Sequence, residues 1–102
     1  MALKIIWSDE ARESLAHILT YLEENWTEKE LSSFARILEK QLSIISNKPR
    51  TYKKSERLLG TRECLLSKHN SLFYIADKNN LHIVSLWDNR QEPKKLTARN
   101  IK

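Results

Sequence analysis

The sequence predicts an α+β domain in the order β-α-α-β-β-β, with a helical hairpin packed on one face of a small, largely antiparallel sheet. Three observations predict it. Apolar residues recur at helical spacing through the first half of the chain, and the period changes to two from about residue 62 onward. The 102-residue length suits a single domain over 1–102 with one modest core.

Residues 3–7, Leu3-Lys4-Ile5-Ile6-Trp7, read as a short strand of β-branched and aromatic residues. Ser8 follows as a helix N-cap, with Asp9 and Glu10 at the positive end of the helix dipole. Ala11, Leu15, Ile18, Leu19, Leu22 and Trp26 then mark one face of a helix over 9–25. Thr27 and Glu30 form a capping box, and Trp26 can staple to Leu31. The second helix carries Leu31, Phe34, Ala35, Leu38, Leu42 and Ile45 on one face and stops at Asn47, before Pro49. So short a connection makes the helices antiparallel neighbours.

Strands are expected at about 62–68, 71–77 and 81–87, separated by the turn-like Lys68-His69-Asn70 and Asp77-Lys78-Asn79-Asn80. Leu72-Phe73-Tyr74-Ile75-Ala76 is the most apolar of them and is placed at the centre of the sheet. The polar tail from Asp88 contains Pro93, which discourages regular structure. With the hairpin on one sheet face, the opposite face is left partly open to gather basic side chains.

The formal net charge of +5 is unevenly placed. Residues 1–47 hold five basic and eight acidic residues, net −3, and residues 48–102 hold thirteen and five, net +8. The densest stretch runs from Lys48 to Arg62, with Lys48, Arg50, Lys53, Lys54, Arg57 and Arg62 against Glu56 alone. A basic half points to a polyanionic partner, while a merely solvated face is the plainer alternative.

Several function classes are excluded. A single glycine, Gly60, leaves no glycine-rich phosphate loop or dinucleotide fingerprint. No apolar run spans a membrane, and residues 1–7 carry no signal-peptide pattern. The lone Cys64 fits a reducing cytoplasm and reads as a small buried residue. His17, His69 and His82 are scattered, so no metal and no cofactor are assigned. Trp7, Trp26 and Trp87 read as core or core-edge residues rather than stacking platforms.

What remains is arginine and lysine chemistry. Lys53, Lys54, Arg57, Arg62 and Arg90 could surround a phosphate, either to bind a nucleic-acid backbone or to stabilise a phosphoryl-transfer transition state. In RNA the 2′-hydroxyl is the nucleophile, so the protein needs only a base, a lysine of depressed pKa or His82. Lys48, Arg50, Arg57 and His82 are the candidates for contacting a nucleic acid or target.

An ordered set of short segments now stands out. It comprises Ile6-Trp7-Ser8 with Ala11, Leu15 and Ile18, then Tyr21-Leu22, Pro49 and Arg62. It ends with Ser71-Leu72-Phe73-Tyr74-Ile75, Ile83-Val84-Ser85-Leu86-Trp87-Asp88 and Asn89-Arg90-Gln91-Glu92-Pro93. In this set the chain resembles the RelE/ParE toxins of bacterial type II toxin–antitoxin systems, over nearly its whole length. The resemblance implies a cytoplasmic growth-inhibiting toxin neutralised by a cognate antitoxin in a hetero-oligomer. RelE-like members are metal-independent, ribosome-dependent mRNA endoribonucleases, and for that branch it implies Lys53, Lys54, Arg62 and Arg90 as the catalytic set. ParE-like members lack that set and poison DNA gyrase. No tyrosine follows Tyr74, so the C-terminal tyrosine of the RelE-like branch is missing and the ParE-like branch is favoured. The alternatives are the ribonuclease and a non-toxic adaptor that binds nucleic acid or protein.

Overall fold

In the computed structural model, which describes residues 2–25 and 28–89, four strands form one sheet carrying two helices. The elements are β1 (Lys4–Trp7), α1 (Asp9–Asn25), α2 (Glu28–Asn47), a 3-10 turn (Pro49–Thr51), β2 (Arg62–Ser67), β3 (Asn70–Ala76) and β4 (Asn80–Asp88). The strands and helices lie within a residue or two of their expected bounds, and the 3-10 turn falls in the segment expected as a basic loop. Trp26, Thr27, Arg90 and Pro93 fall outside the described residues, and with them the capping box, the staple and the tail.

The sheet order is β1-β4-β3-β2. β2, β3 and β4 form the expected antiparallel meander, and β1 joins β4 in parallel. β3 is therefore interior as expected, and β4 shares that position. The parallel pair follows from the helical hairpin, which returns the chain to the end of the sheet where it began.

Ser8 links strand to helix. Its hydroxyl accepts the Ala11 N–H at 3.0 Å, as an N-cap does, and donates to the Val84 carbonyl at 2.7 Å. That carbonyl belongs to an irregularity in β4, where Phe73 faces Ser85 while Tyr74 faces Ile83, leaving Val84 as the extra residue. The bulge changes which side chains share a face. Alternation alone groups His82 with Val84 and Leu86, but Leu86 joins the core under the helices and Val84 joins the cluster on the opposite face.

The helix-side core contains Ala11, Leu22, Phe34, Ile45, Cys64, Leu66, Leu72, Tyr74, Leu81, Ile83 and Leu86, with Trp7 at its margin. Burying a side chain of this kind stabilises the fold by about 1.5–3 kcal/mol. A second, smaller core of Leu58, Phe73 and Trp87 lies on the far face. That face is thus not simply open: the loop after residue 54 folds back and seats Leu58 on it. No helix among the described residues is long and apolar enough to cross a membrane.

Candidate functional site

The basic segment 48–61 is pinned at both ends. Tyr74 donates its phenol hydrogen to the Pro49 carbonyl at 2.6 Å, and Tyr52 donates to Gln41 Oε1 at 2.5 Å. Burial pushes both phenols up from their ordinary value. The Lys54 backbone then forms an antiparallel β-bridge with that of Arg62, and the Lys53 carbonyl accepts the Glu63 N–H at 3.2 Å, so the segment runs beside the first residues of β2.

Residues 55–61 close into a lobe. Ser55 Oγ accepts the N–H groups of Arg57 and Leu58, and the Ser55 N–H donates to the Thr61 carbonyl at 2.8 Å. Thr61 Oγ1 donates to the Leu58 carbonyl at 2.7 Å. Gly60 completes the reversal at φ +89°, a conformation that glycine adopts without the Cβ penalty.

Arg57 fastens this lobe to the sheet. Its Nη2 donates to Glu63 Oε2 at 2.6 Å, Asn89 Oδ1 at 2.7 Å and Ser71 Oγ at 3.2 Å. Its guanidinium carbon lies 5.4 Å from the centre of the Phe73 ring. Burial pushes the Glu63 carboxyl up, but the Arg57 guanidinium and the Ser55 hydroxyl outweigh it and hold Glu63 below its ordinary value. The charge of Arg57 is therefore neutralised within the fold.

Arg62 has the opposite orientation. Residues 62, 64 and 66 share the helix-side face of β2, where Cys64 and Leu66 join the core. Arg62 Nη1 donates to the Tyr52 carbonyl at 2.8 Å. Two adjoining hollows meet at this side chain. One, of about 470 Å³, is lined by Pro49, Arg50, Arg62, Ala76, Asp77 and Lys78. The other, of about 300 Å³, is lined by Lys54, Gly60, Thr61, Arg62, Ala76 and their neighbours on β3. Arg50, Lys54, Arg62 and Lys78 form no ion pair among the described residues.

The structure thus brings together Arg50, Lys54 and Arg62 from the residues singled out in the sequence. It adds Lys78, which the sequence places in an ordinary turn. It does not bring in Lys48 or Lys53, which are exposed and line neither hollow, and it sends Arg57 to the other face. His82 points away from Arg62, on the far side of β4, with its Nε2 3.0 Å from Asp77 Oδ2. Asp77 is held below its ordinary value, chiefly by the Asn79 N–H, with help from His82 and the Asn80 N–H. Cys64 is buried, which pushes its thiol up to about 11. Among the described residues no three His, Cys, Asp or Glu side chains come together as metal ligands would.

A third opening lies between the helices. It is an apolar groove of about 270 Å³ lined by Leu15, Leu19, Phe34, Ala35, Leu38, Glu39 and Leu42.

Comparison with known proteins agrees with this architecture. Residues 5–93 match the family model described as the ParE toxin of the type II toxin–antitoxin system parDE. Among solved structures, the chromosomal ParDE system of P. aeruginosa aligns with a TM-score of 0.69 at 11% identity, covering 85% of this chain and 96% of the other. The YoeB dimer of Staphylococcus aureus aligns at 0.58 with 21% identity, covering 85% and 97%. The DinJ–YafQ toxin–antitoxin complex of E. coli aligns at 0.60 with 11% identity, covering 88% and 96%. No curated relative matches the chain in sequence. The two helices on a mixed four-stranded sheet are the fold of the RelE/ParE toxins, and with a family match over 89 of its 102 residues the chain belongs to the ParE toxin family of type II toxin–antitoxin systems.

Proposed function

We propose that this chain is a growth-inhibiting toxin that acts by binding and poisoning DNA gyrase, with no bond-breaking chemistry of its own, and that a cognate antitoxin neutralises it. The observation that carries this choice is the division of the candidate catalytic groups between the two faces of the sheet. Arg62 and Lys54 lie at the hollows, Arg57 is locked to Glu63 on the far face, and His82 is bonded to Asp77. A ribonuclease needs a base within reach of the 2′-hydroxyl at the site of the stabilising cations. The groups beside Arg62 serve poorly. Tyr74 is raised by burial and donates to Pro49, and Asp77 is lowered and accepts from Asn79.

Solved relatives captured with their antitoxins, as in ParDE and DinJ–YafQ, support an antitoxin partner here. The apolar groove between α1 and α2 suits one face of an amphipathic antitoxin helix.

The test is a pair of assays on the purified toxin. Supercoiling by gyrase should fall while gyrase–DNA cleavage complexes accumulate. Translating ribosomes incubated with the toxin should show no new mRNA ends. Codon-phased cuts that vanish in Arg62→Ala, with gyrase unaffected, would replace this reading with the ribonuclease. Unimpaired growth on induction of intact protein would favour the non-toxic adaptor.

A further inference from the structure

The two hollows that meet at Arg62 are not explained by the fold. Four cations line them: Arg50 in the 3-10 turn, Lys54 in the loop that follows and bridged to Arg62 at the start of β2, and Lys78 in the β3–β4 turn. Among the described residues these like charges have no carboxylate in an ion pair with them, so their mutual repulsion opposes folding. The one acid among the described residues at the rim, Asp77, already accepts the Asn79 and Asn80 N–H groups and bonds to His82. Arg62 is half-buried and oriented by its bond to the Tyr52 carbonyl, which leaves the rest of its planar donor fork for a ligand.

We propose that this double hollow is a binding site for the phosphates of duplex DNA. The proposal rests on the gyrase reading and deepens it: the toxin would touch the DNA held in the gyrase complex as well as the enzyme. Three observations favour duplex DNA over other polyanions. The larger hollow has a mainly polar and cationic lining, which suits phosphate oxygens, and the smaller one sets Lys54 and Arg62 beside Ile75 and Ala76. Two connected hollows sharing one arginine match a repeating anion better than an isolated one. Among the described residues no exposed aromatic ring lines the hollows for unpaired bases to stack on, since the one ring in their lining, Tyr74, is buried. A single-stranded RNA would need such a platform, whereas a duplex presents only its backbone.

The test is fluorescence anisotropy with the full-length toxin and a labelled duplex DNA, titrated across a range of salt. A single-stranded RNA of equal length and poly-glutamate serve as competitors. Arg62→Gln should weaken duplex binding about tenfold. Arg50→Gln/Lys78→Gln, which breaks no side-chain hydrogen bond among the described residues, should do at least as much and lower the salt slope by about two. Lys29→Gln/Lys40→Gln on α2 removes the same charge elsewhere and should leave the slope nearly unchanged. Equal losses in the hollow and α2 variants would overturn the site. Competition by RNA or poly-glutamate as strong as by duplex DNA would overturn its assignment to DNA. Because gyrase is absent, the result stands apart from the supercoiling assay. Hollow-dependent DNA binding without gyrase inhibition would refute the gyrase reading and leave the site intact.

Discussion

Replacing Arg57 by alanine should be among the most damaging changes to a polar side chain in this protein. The substitution removes short bonds to Glu63 at 2.6 Å and Asn89 at 2.7 Å, a longer one to Ser71, and the contact with the Phe73 ring. A charged hydrogen bond contributes about 1.5–3 kcal/mol, and a partly desolvated cation–π contact about 0.5–1. These bonds share one guanidinium and do not add. The side chains of Arg57 and Glu63 are 31% and 26% exposed, so water softens the loss of the pair. A net cost of about 2–3 kcal/mol follows, which for a domain of this size lowers Tm by about 10–20 °C. The pH dependence has a definite sign. Glu63 is held below its ordinary value of 4.5, so its contribution is present above that pH and is lost as pH falls through the folded-state value. The gap between wild type and Arg57→Ala should therefore narrow on acidification. Thermal unfolding followed by circular dichroism at pH 7 and at stepwise lower pH measures both. A neutral-pH difference under about 0.5 kcal/mol, or a gap that widens in acid, would refute the clamp.

Three further outcomes are expected. Ser8→Ala removes the N-cap of α1 and the donor to Val84, and should cost about 1–2 kcal/mol in urea unfolding with an unchanged m-value. Cys64, buried and raised to about 11, should resist thiol reagents at pH 8 in the native protein and react fully in denaturant. Ala35→Arg fills the apolar groove from an exposed position on α2. Co-expression with the antitoxin should then fail to restore growth, while the variant alone stays toxic; full rescue would move the antitoxin off this groove.

The secondary structure was legible because each element carries its own signal. Helical spacing from Ala11 to Ile45, Ser8 before α1, Asn47 before Pro49 and the turns around His69 and Asn79 are local features, and local features set element type. The segments resembling RelE/ParE toxins likewise announced the family. The site was less legible because it depends on which face a side chain takes. Arg57 and Arg62 look equivalent in a basic run, yet Ser55, Gly60 and Leu58 fold one back onto Phe73 while strand parity turns the other toward the helices. The extra residue at Val84 shifts faces again, separating His82 from Leu86. Lys78 joins the hollow only through the β3–β4 turn, a contact no spacing in the chain signals.

The sequence by itself determined the order of elements, the uneven charge and the family, since these follow from local propensity and from the ordered motifs. Only the tertiary structure decided which cations are free to meet a partner. Whether a charge is neutralised or exposed depends on how the chain packs, as when the 55–61 lobe turns Arg57 back onto Glu63, six residues on, and onto the Asn89 amide, 32 residues on.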